Sequence, residues 1–290
     1  MVKPRKITKI KSDSLMFYNQ DLQLQTVHSD GRCSIDEIVA ASITNERKII
    51  GITDHAIGWD DGDEHSRFFT SDTMFLKYLN EIEAAHDKYA AQGVTVLKGL
   101  EVEINIDGTM ALAEGIVDVI GSEDRICDYL DYVIGVIHSE SFTVSLAALP
   151  TLRDQAHAQD LLMQNIAALI ANPQILIWGH PFQVVHGHYK RHYMESEQKF
   201  ILKCLKQRTE PLLIEYNLNP TPRYMEWNGK STHYENGELS PNDINFLRRC
   251  AEQGSKFVIS TDAHDQTQTK RLHSKVVVPD FILNRLQYIT

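Results

Sequence analysis

Seven short apolar runs recur along the chain, each closing on or beside polar residues. They are DLQLQ, KIIGITDH, VTVLKGLEVE, DYVIGVIH, QILIWGH, PLLIEYN and KFVISTDAH. Runs of this length, rich in β-branched residues, read as buried strands. Helical patterns separate most of them. Ser34 and Glu37 form a capping box at the head of SIDEIVAASITNER. Phe75, Leu76, Leu79, Ile82 and Ala85 recur at helical spacing over residues 72–91. Further helices are expected over 153–171, over 195–207, from Ser240 and Pro241 to near Gly254, and over 281–286. Alternation of strand and helix implies a parallel sheet covered by helices. Polar residues at the carboxyl ends of seven strands favour a closed or nearly closed barrel over an open doubly wound sheet. The sequence holds no GxGxxG or Walker loop, so nucleotide-cradle folds lose support.

Composition bounds the function classes. The 290 residues are 42% hydrophobic and 23% charged, ordinary values for a globular chain. A formal net charge of −10 argues against a domain-wide nucleic-acid footprint. No apolar stretch reaches membrane-spanning length. The opening MVKPRKITKIKSDS is basic without the apolar centre of a signal peptide, and residues 1–15 read as an exposed lead-in. The rest reads as one domain. Cys33, Cys127, Cys204 and Cys250 form no CxxC pair. A disulfide framework or thiolate metal site is therefore not expected, and the chain reads as reduced and cytoplasmic.

The chemistry gathers at the strand ends. His55 closes ITDH, Glu101 follows VTVLKGL, His138 closes DYVIGVIH and His180 closes QILIWGH. Asp262 and His264 are expected on one strand face of STDAH, and Asp30 lies just past the first run. Each alone could be a satisfied core or surface residue. Jointly they read as a convergent ligand set, and imidazole with carboxylate suits Zn, Mn or Fe.

In order, DLQLQTVHSDG, ITDH, GLEVEI, VIHSE, WGHP and STDAH resemble the PHP (polymerase and histidinol phosphatase) domain superfamily from Asp21 to about His264. SDG, EVEINIDG, LDYVIGVIHS, GHP, IEYNLNPTPR and TDAH most resemble the PHP module of bacterial family X DNA polymerases. The resemblance implies a distorted (β/α)7 barrel with its site at the carboxyl ends of the strands. It also implies a centre of two or three divalent ions hydrolysing phosphate esters. By position, Glu101 would bridge two ions, His138 and His180 would complete the second, and Asp30, His55 and His264 would hold a third. The first ion would need two paired histidines beside Glu101 and Asp262, but Gln23 and Gln25 stand there. An amide is a poor ligand for Zn or Mn, so that position is expected to be weak or empty. His28 is expected to lie in the loop.

His55, His264 and Asp262 are the residues expected to take part in catalysis, with the general acid left open. Substrate contacts are expected from Arg67, Lys190, Arg191 and Arg223. The segment PFQVVHGHYKRHYM reads either as a phosphate-gripping lid or as a solvated loop. Two classes stay open. One is a metal-dependent phosphoesterase acting on nucleic-acid 3′ ends, nucleotides or a small molecule. The other is a degenerate PHP domain that binds or regulates a protein partner.

Overall fold

The computed structural model describes residues 7–9, 19–58, 68–105, 107–138, 155–189, 191–218, 223–227, 230–234, 239–273 and 278–289. In chain order the strands are β1 (Ile7–Lys9), β2 (Gln20–Asp21), β3 (Ile49–Ile52), β4 (Thr95–Lys98), β5 (Glu101–Ile104), β6 (Met110–Ala111), β7 (Ile134–Val136), β8 (Ile177–Trp178), β9 (Leu213–Asn217), β10 (Arg223–Trp227), β11 (Lys230–Tyr234), β12 (Lys256–Ser260) and β13 (Gln287–Ile289). The helices are α1 (Ile35–Thr44), α2 (Asp72–Ala90), α3 (Glu114–Ile120), α4 (Gln155–Ala171), α5 (Gln183–Gly187), α6 (Glu195–Gln207), α7 (Pro241–Glu252) and α8 (Asp280–Leu283).

The strands form an α/β arrangement with parallel sheets. One sheet runs β2-β3-β4 and the other runs β12-β9-β8-β7-β5-β6, with only β6 antiparallel. Single-residue parallel bridges join the two sheets, Leu24 to Ala263 at one edge and His55 to Glu101 at the other. The backbone NH of Gln25 donates to Ala263 O at 2.9 Å, and that of Ala56 donates to Glu101 O at 2.8 Å.

Strands buried on both faces read as near-continuous apolar runs, as in IIGI of β3 and FVI of β12. One apolar cluster fills the space between sheet and helices. A smaller cluster draws Leu22, Leu97, Tyr132, Ile134, Val136, Ile177, Leu213, Val258 and Ile289 from the parallel strands and their flanks. Tyr132 spans this inner cluster and donates to Leu22 O at 2.6 Å. Glycine is required where it passes. A Cβ on Gly51 would lie 1.8 Å from Tyr132 Oη, and one on Gly99 would lie 2.8 Å from its ring. Gly99 also parts the single expected strand VTVLKGLEVEI into β4 and β5.

The helix caps follow the sequence. Ser34 and Glu37 complete the capping box of α1, and Ser240 caps α7 with Pro241 in its first turn. Two readings need correction. Part of the stretch expected to be an exposed lead-in forms β1, which pairs antiparallel with β13. The terminal helical pattern is the short α8 followed by that strand. The hairpin β10–β11 was not expected either. Among the described residues no helix is long and apolar enough to cross a membrane. The four cysteines form no disulfide.

Asp21 carries a pH-dependent part of the stability. It is fully buried, and it accepts from Thr261 N at 3.0 Å and from Thr261 Oγ1 at 2.5 Å. Burial pushes its carboxyl from 3.8 up to about 6, against the hydrogen bonds from Thr261 and the charge of Arg47. A folded-state value above the unfolded one stabilises the fold at low pH, and that stability is lost as pH rises through about 6. The full change corresponds to about 3 kcal/mol. Asp21→Asn lacks this dependence. Urea melts at pH 4.5 and 7.5 should therefore show the native chain losing ground to the variant, whereas parallel stabilities would refute the buried-carboxyl account.

Candidate metal centre

The site lies where the parallel strands end. Glu101 opens β5 and is buried at the middle of the site. Its Oε2 accepts from Gln23 Nε2 at 2.9 Å and from Gln25 Nε2 at 2.6 Å. The same oxygen lies 3.8 Å from His55 Nδ1. Its Oε1 faces His180 Nε2 at 2.9 Å and His138 Nε2 at 3.3 Å. Burial opposes a charge on Glu101, yet His55 and the hydrogen bonds from His138 and His180 hold it well below the usual carboxylate range.

A second layer orients this one. Glu103 points to the same side of β5 as Glu101, the period-two outcome. It accepts from His138 N at 2.8 Å and from His138 Nδ1 at 2.6 Å. Burial resists protonation of His138, but Glu103 and Glu101 together raise it well above the usual imidazole range. Glu215 on β9 accepts from His180 N at 2.6 Å and from Ser260 Oγ. Asn217, two residues on, donates to Glu215 Oε2, to Gln23 Oε1 and to Asp262 Oδ2 at 3.1, 3.3 and 3.4 Å. Asp54 accepts from Thr26 N, Thr26 Oγ1 and Ser29 Oγ at 2.7, 2.8 and 2.5 Å, which fixes the turn leading to Asp30.

The outer edge is Asp30 with His264. Their Oδ2 and Nε2 are 3.3 Å apart, and Asp30 Oδ1 lies 3.6 Å from His55 Nε2. Burial lowers His264, but Asp30 and Asp262 raise it to about 9. His264 and Asp262 do not share a strand face as expected, because β12 ends at Ser260. They are brought together by a left-handed Asp262, at φ 50°, and by His264 Nδ1 donating to Asp262 O at 3.0 Å. His180 has φ 22°. Two site residues thus sit in sparsely populated backbone conformations, as active-site residues often do.

Two overlapping groups could hold a metal ion: Asp30, His55 and His264, and His55, Glu101 and His138. In each the donor atoms lie within 4.8 Å of one another, and imidazole with carboxylate fits a divalent transition ion. The Gln23 and Gln25 position does not fit one, because the amides present N–H groups to Glu101 and an N–H cannot ligate. His28, next along that loop, faces Glu81 Oε2 at 2.8 Å, lies parallel to the Phe69 ring and meets Tyr78 edge-on.

The expected substrate contacts fare differently. Arg191 forks onto Glu197, with Nη1 and Nη2 at 2.7 and 2.6 Å from its two oxygens, so its charge is committed within the fold. Arg67 and Lys190 lie outside the described residues, and Arg223 begins β10, whose side chains lie outside them too. The segment after His180 is neither an open lid nor a solvated loop over its described part. It folds into α5, and His186 and His192 are buried.

The sequence profile of the PHP domain matches residues 21–217. The chain belongs to the PHP family. It is 25% identical over 255 residues to the DNA polymerase/3'-5' exonuclease PolX of Bacillus subtilis (strain 168), a match that takes in 84% of this chain and 34% of that protein. The PHP chain thus spans about a third of that relative's length. Among solved structures it is similar to a histidinol phosphate phosphatase of Lactococcus lactis subsp. lactis in complex with zinc, L-histidinol and phosphate. The TM-score is 0.56 at 14% identity, covering 91% of this PHP chain and 92% of that one, a likeness of fold.

Proposed function

We propose that this PHP chain is a metal-dependent phosphoesterase with a reduced, two-ion centre. The observation that carries the reading is the two donor groups that meet at His55, whose single lone pair serves one of them while His180 beside Glu101 Oε1 completes the other. Asp30, His55 and His264 would hold one ion. Glu101, His138 and His180 would hold the other, since His138 Nε2 and His180 Nε2 both face Glu101 Oε1. A divalent ion in such a set makes water acidic and neutralises charge on phosphoryl oxygens. We further read the seven parallel segments as closing into a distorted (β/α)7 barrel, since the Leu24–Ala263 and His55–Glu101 bridges link the sheets at both edges. On this reading residues 1–290 form a single PHP-type unit.

The chain's own residues set the chemistry around the ions. Asp262 accepts from His264 Nδ1 and so aims Nε2 toward Asp30. His264 is the most open imidazole of the set, at 23% side-chain exposure against 9% or less for the others. When not ligating, it is the candidate proton donor to the leaving oxygen. Glu103 orients His138 in the manner of a carboxylate–histidine–metal triad. Glu103→Gln is expected to weaken zinc binding by about 10–100-fold while the fold is kept. Calorimetric titration with zinc checks this, and unchanged affinity would remove Glu103 from the orienting role.

Small phosphomonoesters are the favoured substrates, because a net charge of −10 opposes a polyanion. The likeness to a 3'-5' exonuclease supports a second reading, hydrolysis at nucleic-acid 3′ ends. The amides at Gln23 and Gln25 support a third, a binding or regulatory module without turnover. One experiment separates them: elemental analysis of the dialysed chain, with zinc- or manganese-supplemented hydrolysis of p-nitrophenyl phosphate, its bis ester and a 3′-labelled oligonucleotide. Two ions per chain that a His55→Ala/His138→Ala variant loses, with monoester turnover in the native chain, support the reading. Oligonucleotide shortening alone selects the second. Bound ions without any turnover, or no ions, overturns the enzyme.

A further inference from the structure

We infer that His186, His192 and Asp243 form a second, separate zinc-type site that clamps the segment after β8 onto the first turn of α7. None of the three belongs to the centre around Glu101. They come from three pieces of chain: α5, the segment beyond it, and the N-terminal turn of α7. All are buried, at 5%, 8% and 2% exposure. Buried charges are paired or coordinate metals, since each must be desolvated.

The donor atoms converge. His186 Nε2 lies 3.1 Å from Asp243 Oδ2, and His192 Nδ1 lies 3.1 Å from Asp243 Oδ1. One donor from each residue lies within 4.8 Å of the others. Tetrahedral zinc with bonds of about 2.1 Å places its ligands roughly 3.4 Å apart, close to these separations. Two imidazoles and one carboxylate form a set that suits zinc, with one position left for water.

The surroundings hold the ligands as a metal site's second layer does. Ser240 Oγ donates to Asp243 Oδ2 at 2.7 Å and lies 3.1 Å from His192 Nδ1. The Phe182 ring stacks on His186 with centroids 5.5 Å apart, and Phe246 packs edge-on against Phe182. The Arg191–Glu197 fork anchors the residue next to His192. The site is therefore buried and held in place, with water as its fourth ligand and a steadying role for the chain that carries it. His180 lies six residues before His186, so an ion here would also steady the chain that carries a ligand of the first centre.

Zinc is the probe for the test. His55→Ala/His138→Ala disables the first centre, and this full-length variant is stripped with chelator and titrated with zinc. It should hold one tight equivalent by elemental analysis, and its melting temperature should rise on loading. Adding His192→Ala should abolish both. Equal zinc content with and without His192 overturns the proposal. So does a His55→Ala/His138→Ala variant that holds no zinc, which would leave a hydrogen-bonded His–Asp–His triad alone. If the His192→Ala variant fails to fold, cobalt in the parent variant decides. Tetrahedral d–d absorption supports the site, and its absence overturns it.

Discussion

Glu101→Gln is expected to empty the first centre and bring phosphoester hydrolysis to background. Both oxygens of this carboxylate are used. Oε2 receives the amides of Gln23 and Gln25, and Oε1 faces His138 and His180. A glutamine keeps the shape but removes the charge, and turns one of those oxygens into an N–H donor among donors. Loss of a ligand should weaken metal binding by more than the roughly 10–100-fold seen for outer partners. The imidazoles also lose their buried counter-charge, a destabilisation of about 3 kcal/mol. Metal content after dialysis, hydrolysis of p-nitrophenyl phosphate and a urea melt read all three. Metal retained beyond the one equivalent assigned to His186, His192 and Asp243 would sink the central role of Glu101.

The converse change rebuilds a ligand position. Gln23→His with Gln25→His is expected to add one ion per chain and to raise turnover by at least about tenfold. The physical basis is that imidazole has a lone pair to give once deprotonated, whereas the amide N–H groups now facing Glu101 have none. Asp262 lies within reach of the same network through Asn217, which bridges it to Gln23. A carboxylate pair for the restored ion is thus already in place. The readout is the number of ions per chain in native and double variant under equal zinc. An unchanged count would mean that this pocket is shaped for amides and that the native two-ion centre is the complete one.

Much of the frame was legible in the sequence, for physical reasons that also mark where reading stopped. The helices α1, α2, α6 and α7 follow from caps and apolar spacing, because those signals are local. The strand-end polar residues that the structure brings together, Asp30, His55, Glu101, His138 and His180, followed from where apolar runs end. What failed needed long-range information. β1 and β13 pair across 280 residues of sequence separation, roughly the whole chain, and neither carries a pattern of its own. Period two cannot place Asp262 and His264, because the chain leaves the strand at Ser260 and turns through a left-handed residue. The segment after His180 looked polar because histidines look polar, yet Asp243, some fifty positions away, allows His186 and His192 to be buried. Glu103, Glu215 and Asn217 did carry a signal. Each is a polar residue inside an apolar run, in EVEI or IEYN, and a buried strand tolerates such a residue only when a partner satisfies its hydrogen bonds.

The two amides on Glu101 bear on how the protein matures. Most polynuclear centres confront a nascent chain with several carboxylates that repel one another until cations arrive. Here the central carboxylate has donors of its own from Gln23, Gln25, His138 and His180. On the proposed two-ion reading, chain collapse would not need a cation, and loading would be a late step on a finished scaffold. Such a chain would fold where transition metals are scarce and take up its ions afterwards.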